Sequence, residues 1–234
     1  MASGAIAQTG YTYKQSPYSS HAILVGSLPL DGGGKRVLDV GCASGYLAEL
    51  LAQRGYEVVG IERPGGHDNF PAGLELIEAD LDAGLPPAPG KFSYVICGDI
   101  LEHLRDPERM LTQLAGVLEP GGALIASLPN SGNLYFRLTI LAGRFPQQDK
   151  GLFDRTHLHF YMWEGWRRLF EGAGFFIDQR KVTGIPVGLA LPGWDGSAPV
   201  RAMEWLAYVM ARIRPVLFAY QFVVTARLRN ADAR

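Results

Sequence analysis

Cysteine is nearly absent from this 234-residue chain: Cys42 and Cys97 are its only two, too few for a disulfide framework. An excess of one charge sign is missing as well. Lysine and arginine number 22 and aspartate and glutamate 23, for a formal net charge of −1, so no overall positive field argues for nucleic acid and no acidic excess for a solvating tail. Nor is there a run of about 18 apolar residues, because Glu204, Arg212, Arg214 and Pro215 interrupt the most tempting stretch, 203–225. No bilayer-spanning helix is expected. The start lacks a basic region followed by an apolar stretch, which points to a cytoplasmic protein. Glycine, by contrast, is plentiful at 29 residues, yet it follows no three-residue period, and no internal repeat or low-complexity tract occurs. Collagen-like and disordered readings are therefore excluded, and 47% hydrophobic with 19% charged residues describes one compact domain.

The chain has a rhythm. Residues 1–34 carry Tyr11, Tyr13 and Tyr18, a short helix over 20–28 and a breaker at 31–34, and they read as an N-terminal flap ahead of a domain over 35–234. Strands are predicted over 37–40, 57–62, 74–80, 92–98 and 123–128, with helices over 46–54 and 107–118 and a stop at Pro120-Gly121-Gly122. Such alternation implies βαβ units and a parallel sheet whose ligands sit at the carboxyl ends of the strands. After Pro129 the rhythm breaks. An apolar, helical 133–145 with Arg137 and Arg144 and a polar loop to His159 make 131–160 a cap insertion over that end. A helix over 163–172, a strand over 175–182, a Gly- and Pro-rich connector over 184–199, an amphipathic segment over 200–213 and a last strand over 218–228 complete the chain. Trp205, Tyr208, Val209 and Met210 read as a stripe packed on the protein's own core, with a lipid surface as the alternative.

The segment Val37-Leu38-Asp39-Val40-Gly41-Cys42-Ala43-Ser44-Gly45 runs from a strand through two glycines into a helix. The backbone must turn sharply there and come close to something. A dinucleotide site would need glycines spaced G-x-G-x-x-G, a pattern that Cys42 and Ala43 break, so a nicotinamide oxidoreductase fails on spacing. Asp39 repels phosphate and suits a ligand with a cationic end. Cys42, without a paired base, reads as a small helix-start residue rather than a nucleophile. Glu62 and Asp80, each closing a strand, fit either ligand binding or simple turn capping.

These residues resemble the class I S-adenosylmethionine-dependent methyltransferases, whose first motif ends a strand with D-x-G-x-x-x-G. The likeness is most specific over 36–130. It continues through Glu62, where the family's acidic residue accepts the ribose hydroxyls, Asp80 and Leu81, where it meets adenine, and the run Cys97-Gly98-Asp99-Ile100-Leu101-Glu102-His103-Leu104, which resembles the fourth-strand motif. The chain departs from the family at Ala43, often glycine there, and at Arg63-Pro64-Gly65-Gly66. The resemblance implies a Rossmann-like, doubly wound α/β fold: a mostly parallel seven-stranded sheet with helices on both faces and an antiparallel last strand. It also implies S-adenosyl-L-methionine as cofactor, with contacts from Asp39, Gly41, Cys42, Ala43, Gly45, Glu62, Arg63, Asp80, Leu81, Gly98, Asp99 and Ile100. The second half, from Ser127-Leu128-Pro129-Asn130 through Asp154-Arg155-Thr156-His157-Leu158-His159-Phe160 to Glu171-Gly172-Ala173-Gly174-Phe175, is similar to a subgroup associated with cell-envelope glycans and lipids, and the chain as a whole resembles cell-envelope or ubiquinone-type O-methyltransferases.

Methyl transfer needs the acceptor aligned and, for a hydroxyl, its proton removed. His103, His157 and His159 are the candidate bases, each with a plain structural role as the alternative. His157 and His159 would face one side of an extended segment, where Glu102 or Asp154 could join them on a metal, although no metal is assigned. The expected activity is O-methylation of a small-molecule, glycan or lipid-linked acceptor, with no nucleic-acid partner and with peripheral membrane contact as a further expectation. A methionine-biosynthesis methyltransferase-like protein, which the segments 80–82 and 127–146 also resemble, supplies the rival: a non-catalytic partner subunit of an acyltransferase.

Overall fold

The computed structural model describes residues 16–87, 90–190, 192–194 and 196–229; Tyr11 and Tyr13 of the expected flap lie outside them. In chain order the elements are α1 (Ser20–Val25), β1 (Arg36–Val40), α2 (Tyr46–Ala52), β2 (Glu57–Glu62), β3 (Glu75–Glu78), β4 (Phe92–Gly98), α3 (Pro107–Val117), β5 (Leu118–Pro129), α4 (Leu134–Leu141), α5 (Trp163–Gly172), β6 (Phe175–Val182), α6 (Val187–Ala190), α7 (Ala198–Ile213), α8 (Pro215–Phe218) and β7 (Gln221–Leu228). The seven strands form one sheet in the order β3-β2-β1-β4-β5-β7-β6. Five neighbours from β3 to β5 are parallel, and β7 runs antiparallel to both β5 and β6. The Rossmann-like sheet implied by the sequence is therefore present, antiparallel last strand included.

Alternation along the strands builds two cores. Leu38 and Val40 of β1 face Met110, Leu111 and Leu114 of α3 and Trp166 and Phe170 of α5, whereas Val37 of the same strand faces Leu24 of α1 and Leu47 and Leu51 of α2. Helices thus cover both faces. Residues 20–28 are part of this packing rather than a cover above it, since Leu24, Val25 and Leu28 are all buried.

Several boundaries differ from expectation. Pro120-Gly121-Gly122 does not precede the fifth strand but lies within it: Phe92 pairs with Leu118, the register then shifts, and Tyr94 pairs with Ala123, with Gly121 at φ +79° in the irregular stretch. Only Glu75–Glu78 of the expected 74–80 strand is paired. The last strand begins at Gln221 because Pro215, at the first turn of α8, starts a helical turn instead. The stripe on 200–213 is the main correction. α7 buries Val200 and Ala211, with the backbone of Tyr208 close against Gly184, and it leaves Trp205 and Met210 exposed with Tyr208 and Val209 half-buried. A helix that meets the fold along one narrow line cannot bury a broad apolar face. Among the described residues no helix is long and apolar enough to cross a membrane.

Candidate active site

The parallel strands end along one edge, and the functional candidates gather there. After β1 the backbone turns through Gly41 (φ +73°), Ala43 (φ +48°) and Gly45 (φ +73°), while Gly41 N and Cys42 N donate to Ile61 O at 2.9 and 3.1 Å. Ala43 therefore holds the left-handed backbone that favours glycine, which gives a physical reason for the glycine usual at this place in the resembled motif. A Cβ on Gly41 would lie 2.8 Å from the Ile100 side chain, and one on Gly45 2.5 Å from the Phe70 ring. Both glycines are thus demanded by the chain's own packing around the loop.

Glu62, at the end of β2, stitches the second strand to this loop: its Oε2 accepts from Ala43 N at 2.8 Å and its Oε1 from Arg63 N at 3.0 Å. Each carboxylate oxygen keeps a further lone pair for a ligand hydroxyl. Asp39, the penultimate residue of β1, is 1% exposed, and its Oδ2 has no hydrogen-bond partner. Burial, reinforced by the charge of Glu62, pushes its carboxyl up to about 7. A buried acceptor left without a donor beside a strand-end carboxylate fits a ligand that carries a cationic group and a diol, as S-adenosylmethionine does. Burial also pushes the Cys42 thiol up, which agrees with a non-nucleophilic role.

Asp80 and Leu81 lie just past β3; Asp80 is exposed and accepts from Asp82 N at 3.0 Å, while Leu81 packs against the core. Gly98 ends β4, and a Cβ there would meet Leu24 only at an ordinary 3.5 Å. Asp99, at φ +54°, follows it. Its backbone N donates to Ser127 Oγ (2.9 Å), and its Oδ1 accepts from Ser127 Oγ (2.5 Å) and from Gln221 Nε2 (2.7 Å). Neither Ser127, which only heads a resembled segment, nor Gln221 is a site residue by its sequence, because the β5–β7 pairing that brings them together joins positions 94 residues apart.

Beyond Asp99, buried Leu101 and Leu104 pin a short 3-10 turn, Leu101–His103, that presents Glu102 and His103. Glu102 is 1% exposed with Oε2 unpartnered; burial first, and then the charge of Asp99, raise its carboxyl well above the usual range. Its carbonyl accepts from Leu158 N and His159 N, which docks the end of the cap segment. His157 lies with Nε2 3.9 Å from Glu102 Oε1 and its ring edge-on to His103 at 4.7 Å. Burial, and then His103, lower its pKa to about 4, so it is neutral near pH 7. His103 Nδ1 meets Thr156 Oγ1 at 3.0 Å, and Thr156 is in turn held by Asp154 Oδ1. His159 differs from the other two. Its Nε2 bonds Leu104 O at 2.9 Å and its ring stacks on Tyr161, so its contacts are those of a brace. Among the described residues, the three-residue donor set with metal-ligand proximity is Glu102, His103 and His157, whose ligand atoms all lie within 4.8 Å of one another, with His103 in the place expected for His159.

Residues 131–160, the expected cap, rise from the end of β5. Asn133 caps α4 through Oδ1 to Tyr135 N and, with Asn130, donates from Nδ2 to Ala219 O, each at 2.8 Å, which fastens the cap to the α8–β7 junction. Inside it Phe136 stacks on Phe153 at 4.4 Å, and Phe160 bridges Phe145 and His157.

A family model described as "Methyltransferase domain" matches residues 20–180. The chain is similar to a ubiquinone biosynthesis O-methyltransferase of Stutzerimonas stutzeri (33% identity over 124 residues, 49% of this chain and 53% of the relative). It is likewise similar to the protein of that name from Aeromonas salmonicida (31% over 162 residues, 65% of this chain and 66% of the relative). The chain spans about half the length of most of the curated relatives it matches. A crystal structure of a SAM-dependent methyltransferase from Archaeoglobus fulgidus shares the fold, with a TM-score of 0.59 at 19% identity over 88% of this chain and 91% of the other. The chain belongs to the methyltransferase domain family and is Rossmann-like in fold.

Proposed function

We propose that the protein transfers a methyl group from S-adenosylmethionine to an oxygen of a small-molecule, glycan or lipid-linked acceptor bound between the cap and the Leu101–His103 turn. The observation that carries this reading is the orphaned Asp39 carboxylate and the strand-end Glu62 sharing one sheet edge with the Glu102, His103 and His157 cluster. Bound there, the cofactor supplies a methyl group already activated on a sulfonium. The chain's own work is to orient and to handle a proton. Asp39 would face the cationic end of the ligand, Glu62 its diol, and the Gly41–Gly45 loop would shape the turn between them. His157, neutral and partly screened from water by Phe160, would take the acceptor proton, while Asp99, clamped by Ser127 and Gln221, holds the end of β4 in place. The aromatic interior of the cap suits an apolar or ring-bearing acceptor, and the curated relatives' names support oxygen as the methylated atom.

The donor set favours a second reading of the same chemistry, in which a divalent cation on Glu102, His103 and His157 lowers the pKa of the acceptor hydroxyl. Isothermal titration with S-adenosylhomocysteine tests the central reading. Binding is expected for the wild type and its loss for Glu62→Ala; no binding by the wild type would refute methyl transfer and favour a partner-subunit role. Chelation that abolishes transfer, with recovery on adding a divalent salt, would select the metal-assisted form.

A further inference from the structure

α7 inverts the usual order of a surface helix. Its outward line, spaced three and four residues apart, is Met203, Leu206, Met210 and Ile213, exposed by 44, 53, 37 and 68%, with Trp205 beside it at 55%. A helix that covers a core ordinarily turns its charged side to solvent. Here the charges stand at the margins and share one sign: Arg201, Arg212 and Arg214 are all exposed. The helix's carboxylate, Glu204, turns away, accepting from Ser16 Oγ at 3.3 Å and Gly188 N at 3.2 Å. Among the described residues none of the three arginines forms an ion pair.

An apolar face bearing a tryptophan and rimmed by cations matches an anionic bilayer surface, where the apolar side chains enter the acyl boundary and arginines meet headgroup phosphates. It suits a second copy of this chain less well, since a two-fold contact would set the same cations against one another. Two further observations agree with lipid. Arg212 and Trp205 line an open groove of about 420 Å³, backed by Tyr18 stacked on Tyr208 at 4.7 Å, a concavity with one cation and aromatic walls. The C-terminal end of α7 passes through α8, whose Val216 and Phe218 carbonyls accept from Asn130 and Asn133 at the foot of the cap. The apolar face therefore continues toward the edge where the strands end.

We propose that the outward face of α7 docks on an anionic membrane surface and sets the acceptor site beside the lipid. Only the second clause rests on the methyl-transfer reading; the docking does not.

The test uses the full chain with vesicles of phosphatidylcholine alone or of equal parts phosphatidylcholine and phosphatidylglycerol. Co-sedimentation with the anionic vesicles only is expected, weakening as salt is raised. Brominated lipid should quench tryptophan emission, and Trp205→Phe should remove part of that quenching. Leu206→Glu with Ile213→Glu should lower the vesicle partition coefficient by about tenfold or more, and Arg212→Glu with Arg214→Glu by a similar factor. Unchanged circular dichroism would show that these exposed positions leave the fold intact. Failure of the wild type to bind either vesicle, or undiminished binding by the Leu206→Glu/Ile213→Glu variant, would overturn the proposal. So would a dimer in light scattering that the same variant disperses in the absence of vesicle binding, because that would give the face to a second copy. Titration with S-adenosylhomocysteine is read separately, so failure of docking and failure of the methyl-transfer reading are distinguishable.

Discussion

Asp39→Asn separates stability from cofactor binding. Folding lifts the Asp39 carboxyl from its ordinary 3.8 to about 7, chiefly through burial. An acid whose pKa is higher folded than unfolded binds more protons in the folded state between those two values. Stability from this group therefore falls as pH rises from about 4 to about 7 and is flat above that window. About three pKa units at 1.36 kcal/mol each set a ceiling of ~4 kcal/mol, and an asparagine amide buried in the same place without a full set of partners returns about 1–2 kcal/mol of it. The amide's cost is the same at every pH and about two of the three units lie above pH 5, so the stability of the cofactor-free variant relative to the wild type should rise by about 2–3 kcal/mol from pH 5 to pH 8. Taking the difference between the two proteins cancels the other carboxyls, Glu102 included. Urea denaturation of both proteins at the two pH values measures the change. At pH 8 the variant should also bind S-adenosylmethionine about tenfold or more weakly, because the cationic group loses its counter-charge. A stability difference that does not move with pH would refute the buried-charge argument, and unaltered affinity would remove Asp39 from the cofactor site.

Glu62→Gln keeps one acceptor for the loop but sets an amide N–H against the second backbone donor. A stability loss of about 1–2 kcal/mol, seen in thermal melts, should accompany weaker cofactor binding by titration. Gly41→Val places a branched side chain at φ +73° with its Cβ 2.8 Å from Ile100, so a loss of about 2–4 kcal/mol is expected, whereas Ala43→Gly at φ +48° should be neutral or stabilise by up to ~1 kcal/mol. Once an acceptor is identified, His157→Gln should lower kcat by about a hundredfold or more with little change in melting temperature. His159→Gln, which removes the bond to Leu104 O, should do the reverse, and equal kinetic effects of the two would refute the division of roles.

The elements, the glycine turn and the strand-end carboxylates were legible in the sequence because each is local. Val37–Leu38–Asp39–Val40 alternates onto two faces within one strand, and the turn at Gly41, Ala43 and Gly45 needs its backbone conformations whatever surrounds it. Glu62 could be named from its place at a strand end, but its bond to Ala43 N, 19 residues back, exists only because β1 and β2 pair in register. The residues expected at an acceptor site were less legible for the same reason. The histidines were visible as types, but which of them meets Glu102 depended on where residues 157–160 dock against the Leu101–His103 turn. The structure bound His159 to a carbonyl and turned His157 toward His103. Ser127 stood only at the head of a resembled segment, and Gln221 carried no signal, until β7 folded back beside β5. The apolar stripe on α7 was read in the sequence as core, since periodicity reports that a helix has an apolar side and not what that side meets. By itself, then, the sequence determined strand and helix period, the glycine turn and the carboxylates at strand ends, all set by sterics within a few residues. Only the tertiary structure decided which carboxylates lie buried without a partner, which histidine stays neutral and which helix face is left to solvent, because burial and partnership depend on segments far apart in the chain.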